Sequence, residues 1–473
     1  MNCSGGVCAP TATDAVLNVG DLETLLASGN VTVTTTGSGV EANDIRVEAA
    51  VVWDAGSALA LEAFRSLVIH RPISVEALAG LILTTNNGGT GGALSFDGEG
   101  RVAFSNPSSS LTINDVAYQL VSDLKTLAYD IVRKPHGSYA LADKYDAGAD
   151  GVYSNSPVSN IFYGSFSGLG NNITNLSISD ETAADNVGLF AHLGNTGAVA
   201  DLRLSHVVVR DTSEGTLGGL VGVSDGTISN TYVEGRIQAF NQRDAGMIAG
   251  YNDGAISRSH SAGHVSENGS GESGGLVGVN YGSIMDSWSD AFVGAWGGYE
   301  DAEQAGGLVG DNTGVLQEDF ATGQVEAGHG ARCGGLSGDN YDGGSVVNSY
   351  ATGNARGGHV SKSSYTYVGG LIGFNYNGSE STSYSTGVAH GRSGAFVGGF
   401  FGADEGSANS SYWDTTTSGT KKGAGDGNES GITGLTTTQL QSGLPQGFDP
   451  NVWAQHPKIN NGLPYLISNP PPK

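Results

Sequence analysis

Short runs of apolar and β-branched residues, separated by turns rich in glycine and asparagine, recur along most of this chain. The recurring unit opens with a Gly-Gly-Leu core, as in GGLVGVSDGTISNTYVEGRI from Gly218 and GGLVGVNYGSIMDSWSDAFV from Gly274. Such short runs are typical of strands, and no apolar stripe repeats every 3.6 residues. The pattern therefore predicts short strands and excludes helical repeats over this region.

The unit occurs eight times, with steps of 31, 28, 28, 32, 28, 35 and 29 residues between successive copies. Four positions inside the unit carry the same kind of side chain in successive copies, and each position forms one column. The first apolar column is Leu189, Leu220, Ile248, Leu276, Leu308, Leu336, Leu371 and Phe400. A second aliphatic column is Ile228, Ile256, Ile284, Leu316 and Val346, and another is Ile237, Val265, Val293 and Val325. The aromatic column is Tyr232, His260, Trp288, Phe320, Tyr350, Tyr384 and Tyr412.

A period near 30 residues with no room for a helix predicts a parallel β-helix in which each unit forms one coil, since propeller blades need about 40–45 residues. Stacked coils pair about 4.8 Å apart, so equivalent residues should lie above one another. The aliphatic columns would then fill the interior, and the aromatic column would stack. A glycine recurs after each apolar core and fits a corner that needs a positive φ or close backbone approach. The predicted fold is an all-β, right-handed parallel β-helix with one short helix and a C-terminal cap.

Five segments are predicted. They are a flexible end at 1–20, imperfect coils at 21–113, a helix with a lead-in coil at 114–185, the repeat coils at 186–413, and a link and cap at 414–473. A short helix is expected at DLETLLAS, and another is expected to be capped by Asn114 or Asp115 and to end near Ile131. The stretch KKGAGDGNESG reads as a flexible link. We expect the segments GLTTTQLQSGLP and PYLI to cover the last coil, whose open strand edges would invite association.

Composition narrows the class of protein. Glycine occupies 77 of 473 positions, about twice its usual share of about 7%. Lys and Arg total 21 against 47 Asp and Glu, and this formal net charge of −26 repels phosphate backbones and anionic lipids. No stretch approaches the ~18 apolar residues of a membrane span. We therefore expect neither a nucleic-acid partner nor membrane insertion. Only 14% of the residues are charged and 38% are hydrophobic, so neutral polar residues must cover the surface, which is typical of extracellular β proteins. We expect a secreted or surface protein that is a monomer.

Three cysteines are present: Cys3, Cys8 and Cys333. In an oxidising compartment Cys3 and Cys8 would form a disulfide that pins the N-terminal end. The alternative is two free thiols on a disordered tail, and the sequence leaves both open.

The repeated units resemble the GLUG motif, which is named for its Gly-Leu-x-Gly core and occurs in filamentous haemagglutinin-like exoproteins and some IgA-specific peptidases. The resemblance is carried by the units between Asn186 and Trp413. Upstream, LTINDVAYQLVSDLKTLAYDI and FYGSFSGLGNNITNLSI are similar to the lead-in of large adhesins exported by two-partner secretion. Downstream, SYWDTTTSG and VWAQHPKINNGLPYLI resemble the segment that ends such repeats.

The resemblance implies an exported adhesin stalk at the exterior of a Gram-negative outer membrane, binding a host or bacterial surface glycan or protein. The secretion domain of that family, with its Asn-Pro motifs, has no counterpart in this sequence. We therefore expect the chain to be a processed section or part of a longer protein.

Candidate catalytic chemistry is confined to acidic residues. Asp311 and Asp339 occupy equivalent places in adjacent units, so they should lie one ladder step apart, with Glu318 and Asp319 nearby. Two carboxylates held so close share a proton, bind a cation such as calcium, or turn into solvent as turn residues. No zinc or nucleotide motif occurs, so no cofactor is predicted beyond that calcium alternative.

Two further features stand out. Glu380 falls where other units carry Ile or Leu, which requires either a rearranged coil or a partner for the buried carboxylate. Exposed aromatic residues are expected in the insertions between units, which often carry function in solenoids. The candidate binding residues are Trp296, Tyr299, Tyr365 and Tyr367, which could form one lateral patch.

Three functions remain open from the sequence. The first is an adhesin stalk that contacts glycans and needs no catalysis. The second is a polysaccharide hydrolase or lyase that uses Asp311, Asp339 and Asp319. The third is a passive spacer.

Overall fold

Parallel strands stack into a β-solenoid of about 14 turns, with 49% of the chain in strands and 7% in helices. A computed structural model describes residues 1–180, 186–212, 215–241, 243–297, 303–358 and 365–472. The chain divides into two units. Unit 1 contains residues 1–147, 163–174 and 198–203, and unit 2 contains residues 148–162, 175–197 and 204–473. The predicted fold class is confirmed.

Unit 1 contains coils with three strands each. One ladder stacks Val31–Thr34, Ala58–Glu62, Gly80–Thr84 and Ser110–Ile113. The second stacks Ile45–Val47, Leu67–Ile69 and Leu94–Phe96, and the third stacks Val51–Trp53, Ile73–Val75 and Val102–Phe104. The other strands are Asn2–Ser4, Val7–Ala9, Thr36–Gly37, Val40–Glu41, Val116–Val121, Ser138–Leu141, Tyr145–Asp146, Ser165–Ser167, Asn172–Thr174 and Ala198–Ala200.

The interior of unit 1 is aliphatic because the ladders keep like residues in register. Leu59, Leu81 and Leu111 stack directly on one another and are at most 1% exposed. At the N-terminal end, Cys3 and Cys8 form a disulfide across a hairpin. Helix α1, Val19–Ser28, follows as predicted and is capped by Asn18, whose Oδ1 accepts from the Gly20 amide at 2.9 Å.

The predicted helix from Asn114 or Asp115 is wrong in its first half. Asn114 and Asp115 both have positive φ and form a tight turn, so Val116–Val121 returns as an antiparallel strand. Helix α2, Leu124–Arg133, begins only after Asp123, whose Oδ1 accepts from the Thr126 amide at 2.7 Å. The β-branched residues of the preceding segment favour the hairpin over an early helix.

Unit 2 contains four strand ladders. The first comprises Asn186–Val187, Gly215–Gly218, Arg243–Gly246, Ser273–Gly274, Gln304–Gly306, Arg332–Gly334, Tyr367–Gly369 and Phe396–Gly398. The second comprises Phe190–Leu193, Val221–Ser224, Ala249–Asn252, Val277–Asn280, Val309–Asn312, Ser337–Tyr341, Ile372–Ser381, Phe401–Asn409 and Ala424–Gly427. The third comprises Thr227–Ser229, Ala255–Ser257, Ser283–Met285, Val315–Gln317 and Ser345–Val347, continued by the long strands of the second.

The fourth ladder carries the aromatic column. Its strands are Ser177–Asp180, Arg203–Asp211, Tyr232–Ala239, His260–Glu267, Trp288–Ser289, Phe292–Ala295, Phe320–Ala321, Val325–Ala327, Tyr350–Ala351, Ala355–Gly357, Tyr384–Ser385, Ala389–Gly391, Ser411–Asp414 and Ile432–Leu435. Outside the ladders, the chain has two 3₁₀ turns, Ala147–Asp150 and Asn460–Gly462, and the short helix α3, Thr437–Leu440.

The predicted columns stack as ladders. Every member of the first apolar column is fully buried, and the aliphatic columns are at most 1% exposed. The recurrent glycine serves close backbone approach, because a Cβ on Gly278 would lie 2.6 Å from the Gly250 carbonyl oxygen. Positive φ is not the reason, since none of these recurrent glycines lies in the left-handed region.

Polar ladders also run through the interior. Buried asparagine amides donate from coil to coil, Asn252 to Asn280 and Asn280 to Asn312 at 2.8 Å, and Asn312 to Asn340 at 2.9 Å. The ladder continues through Asn375 to the carboxylate of Asp404. Between the two ends of the ladder, each side-chain amide donates to the next coil and accepts from the previous one, and these hydrogen bonds offset the cost of burying polar groups.

Both alternatives predicted for Glu380 occur, because the coil is rearranged beside it and its buried carboxyl group has a hydrogen-bond partner. It remains in the aliphatic column, between Val346 and Ala408, and is 3% exposed. The Ser411 hydroxyl donates to its Oε1 at 2.8 Å, and the strand register shifts just before it, between Tyr376 and Ser379. Burial raises its pKa to about 8, so the side chain stays protonated at neutral pH.

The C-terminal segment departs from one prediction. The stretch expected to be a flexible link contributes the strand Ala424–Gly427, which pairs with Phe401–Asn409. The segment that follows packs against unit 2 over the aromatic column, and its cover over the last coil stays a prediction. Its residues Leu440, Phe448, Trp453, Leu463 and Leu466 form one buried cluster with Phe320, Tyr350, Tyr384 and Tyr412.

Hydrogen bonds fix this lateral cap. The Tyr384 hydroxyl donates to the Pro464 carbonyl at 2.7 Å, and Asn469 Nδ2 donates to the carbonyls of Ser287 and Glu318 at 3.1 Å. Covering the stacked rings removes their apolar faces from water, and this burial stabilises the cap in its lateral position.

Replacing Asn312 by Ala should destabilise the chain by about 2–4 kcal/mol, because it leaves one amide donor of Asn280 and the Oδ1 of Asn340 without their partner. Urea unfolding followed by far-ultraviolet circular dichroism measures the change. Asn87→Ala, at an exposed asparagine, is the control and should change stability by less than about 0.5 kcal/mol. Equal effects of the two substitutions would contradict a stabilising ladder.

Candidate functional site

Two neighbouring columns of outward side chains run along unit 2, one from the first ladder and one from the second. We call them the lateral stripe. Its members in the first ladder are Asp244, Glu272, Gln304, Arg332, Tyr367 and Phe396, and those in the second are Tyr251, Asp311, Asp339 and Phe374. The stripe is acidic at one end and aromatic at the other.

Asp311 and Asp339 lie at the centre of the stripe as ladder partners, as their spacing predicted. Asp339 is 1% exposed, and Arg332 Nη1 donates to its Oδ2. Burial raises the pKa of Asp339 to about 6, although Arg332 and Gln304 act in the opposite direction. Burial and the neighbouring Asp339 charge raise the pKa of Asp311 to about 7. The pair thus titrates far above ordinary aspartates.

The acidic end continues with Glu272 and Asp244, which share a side-chain hydrogen bond. Burial, followed by the contact with Asp244, raises the pKa of Glu272 to about 9. Glu272 therefore holds a proton at neutral pH and donates it to Asp244. Beside them, the rings of Tyr251 and Tyr281 stack at 5.4 Å, and Tyr281 is 49% exposed.

The aromatic end is a continuous chain of six rings, which we call the aromatic cluster. Its members are Tyr341, Tyr376, Phe374, Tyr367, Phe396 and Tyr365. Tyr367 stacks on both Phe374 and Phe396 at 5.3 Å. Arg332 lies over the Phe374 ring, 4.8 Å from its centroid, and joins this cluster to Asp339.

Asp319, the third candidate catalytic residue, lies elsewhere. It is fully buried in a ladder of serine hydroxyls and accepts from the amides of Ser287 at 2.8 Å and Gln317 at 2.9 Å. Burial raises its pKa well above the ordinary value. A side chain committed to backbone amides inside the coil cannot reach an external substrate, so the candidate role for Asp319 is wrong.

The predicted binding residues divide between two surfaces. Tyr365 and Tyr367 belong to the aromatic cluster, and Tyr365 is 62% exposed. Trp296 is 45% exposed, packs near Phe292 at 6.1 Å, and lines a separate cavity. Tyr299 lies outside the described residues. Within the described part of the chain, no ring contact joins Trp296 to Tyr365, and one patch formed by all four residues stays a prediction.

Sequence reasoning missed Arg332, Glu272 and the phenylalanines of the aromatic cluster. The signal was present, because Glu272, Arg332, Tyr367 and Phe396 all stand four residues before the first apolar residue of their units. Their chemical types differ from unit to unit, so the column does not attract attention as a repeat.

Arg332 bears on whether the pair of Asp311 and Asp339 can bind a metal ion. In the part of the chain that the structure describes, no group of three or more His, Cys, Asp or Glu side chains is arranged to hold a metal ion. The guanidinium already faces Asp339, so a calcium ion at the pair would compete with it. A calcium site at Asp311 and Asp339 stays a prediction.

No protein-family model matches the chain. The chain is 31% identical to Halomucin from Haloquadratum walsbyi (strain DSM 16790 / HBSQ001) over 145 residues, which is 28% of this chain and 2% of Halomucin. The chain thus matches a very small part of that relative's length. Among the described residues, no helix has both the length and the apolar character needed to cross a membrane.

Asp311→Asn should stabilise the chain at pH 8 by about 1–3 kcal/mol and change little at pH 4. The folded-state pKa of about 7 exceeds the ordinary 3.8, so the folded state retains a proton that the unfolded chain releases. Stability therefore falls as pH rises from about 4 to about 7, and the amide removes that loss.

Urea midpoints of the wild type and Asp311→Asn at both pH values measure the effect. Asp253→Asn, at an exposed aspartate, controls for the loss of one negative charge from the chain. An increase in stability for Asp311→Asn that is as large at pH 4 as at pH 8 would contradict the explanation by the raised pKa.

Proposed function

We propose that this chain is a rigid β-solenoid section of a secreted or surface protein and that it binds carbohydrate along the lateral stripe. The observation that carries the proposal is the aromatic cluster, in which six linked rings adjoin Arg332 and the acidic residues on an open strand face. Its most exposed ring, Tyr365, is 62% exposed.

The physical chemistry suits a sugar polymer. Aromatic faces pack against the apolar C–H faces of sugar rings, while Arg332, Gln304 and the carboxylates offer hydrogen bonds to hydroxyls. Ladder positions repeat about every 4.8 Å, so a stripe that crosses several coils presents a row of contacts. A row of this kind suits an extended chain better than a compact small molecule.

The surface or secreted setting has two supports. A β-solenoid is an elongating, repeat-based architecture suited to a stalk. The partial likeness to Halomucin favours a surface protein. The narrower assignment, a filamentous haemagglutinin-like adhesin of a Gram-negative outer membrane, rests on the GLUG resemblance alone.

A second candidate function is cleavage of the bound polysaccharide, favoured by the raised pKa values of Asp311 and Asp339. Two observations weigh against it. Asp339 is 1% exposed, and Arg332 occupies its Oδ2, whereas a general acid must reach the glycosidic oxygen. Binding without chemistry is therefore the better-supported function.

Glycan-array binding tests the proposal. Replacing Tyr365 and Phe396 together by Ala should weaken binding at least ten-fold, since it removes the exposed ring and its edge contact. Tyr129→Ala is a matched control, because Tyr129 is 61% exposed but lies on helix α2 of unit 1. Equal losses in both variants would contradict the assignment.

The same preparations separate the alternatives. Release of reducing ends or unsaturated sugars that is lost in Asp311→Asn would establish the enzyme. Wild-type protein that neither binds nor cleaves any glycan on the array would leave a passive spacer.

A further inference from the structure

A second concave surface lies in unit 2, and no residue of the lateral stripe lines it. It is open to solvent, has a volume of about 750 Å³, and its lining includes Trp296, Glu326, His329, Arg356, His390 and Arg392, together with glycines. We call it the cationic pocket. Its volume falls within the range of small-ligand sites, about 300–1,000 Å³.

The solenoid register builds this pocket. Glu326, Arg356 and His390 are successive ladder partners on adjacent coils, so their side chains leave the wall one above another. Arg356 has 51% of its side chain exposed, and its Nη1 lies 3.6 Å from Glu326 Oε1. The two groups form an ion pair that is longer than a direct hydrogen bond, and the exposed half of the Arg356 side chain can still contact a ligand.

The concentration of basic groups is unusual for this chain. Lys and Arg number only 21 in 473 residues, and the formal net charge is −26. Among the described residues that line this cavity, two arginines and two histidines nevertheless accompany one carboxylate, that of Glu326. The two guanidinium groups exceed that carboxylate by one positive charge, which attracts an anion locally while the rest of the chain repels it.

Trp296 forms an aromatic wall of the pocket. Its indole is 45% exposed and lies over Gly294, where a Cβ would approach to within 2.2 Å of the ring. Glycine at position 294 is therefore what lets the ring lie against the strand. Gly328, Gly357 and Gly358 also line the cavity.

We propose that the cationic pocket binds a carboxylate-bearing sugar at the end of a glycan. A guanidinium fork matches a carboxylate in two-point geometry, and an indole face packs against a sugar ring. The size of the pocket suits one or two sugar units. A long polyanion would meet the negative field of the rest of the chain, so a single acidic terminus is favoured over nucleic acid or an anionic polymer.

This site is separate from the lateral stripe and shares none of its residues. The two proposals therefore fail independently. A chain that binds neutral glycans through the aromatic cluster need not bind an acidic sugar here, and the reverse also holds.

Titration calorimetry with sialyllactose and lactose tests the proposal on the full chain. The wild type should bind sialyllactose at least ten-fold more tightly than lactose, because only the former carries the carboxylate-bearing unit. Arg356→Gln should weaken sialyllactose binding at least ten-fold, and Trp296→Ala should weaken it by a similar factor. Raising the salt concentration should weaken the wild-type complex.

Two controls keep the result specific. Arg258→Gln removes an exposed arginine outside the pocket and should leave sialyllactose binding unchanged. The Tyr365 and Phe396 double variant should also retain it, which separates this pocket from the lateral stripe. Circular dichroism and thermal unfolding confirm that each variant is folded.

Three outcomes would overturn the proposal. Equal affinity for sialyllactose and lactose would remove the role of the carboxylate. Sodium sulfate that binds as tightly as sialyllactose would show a simple anion site with no sugar recognition. The third outcome is that the wild type does not bind sialyllactose but binds a single-stranded oligonucleotide or anionic phospholipid vesicles. If Arg356→Gln abolishes that binding, the pocket belongs to another class of partner.

Discussion

The in-register parallel ladder is the constraint on which the rest of this molecule depends. Each coil donates its backbone hydrogen bonds to the next, so a residue at one place in a coil lies about 4.8 Å from its equivalents above and below. The side chains of one column must therefore be able to pack against their equivalents on the adjacent coils. Leucine on leucine, asparagine on asparagine and ring on ring meet this requirement, and close glycine contacts such as that of Gly278 allow the corner to repeat.

Charged residues meet the same requirement only with compensation. Like charges on adjacent coils repel each other, and burial adds a desolvation cost. Asp339 is compensated by Arg332, Glu272 by sharing a proton with Asp244, and Asp319 by two backbone amides. These arrangements explain how unit 2 buries these three acidic side chains, although the sequence as a whole is strongly anionic.

The outward columns are where the ladder tolerates variety, because solvent or a covering segment can meet different side chains on each coil. One aromatic column is covered by the C-terminal segment and contributes to packing. The lateral stripe and the cationic pocket lack such a cover among the described residues, and they differ in charge and shape. A single scaffold thus presents two chemically distinct surfaces, which is consistent with a protein that contacts complex glycans.

The sequence by itself determined the class of fold, the register of the columns and the neighbour relation of Asp311 and Asp339, because a period near 30 residues leaves one way to stack short strands. It also placed Glu380 in the aliphatic column. The tertiary structure decided which neighbouring segments the side chains of the columns contact. The positive φ of Asn114 and Asp115 turned a predicted helix into a hairpin, and the aromatic column drew the C-terminal segment to the side of the coils. Arg332 reaches Asp339 across the corner between two successive strands of one coil. Trp296 shares a pocket with Arg356 because strands from different coils stack there. Neither contact is encoded in a local sequence pattern.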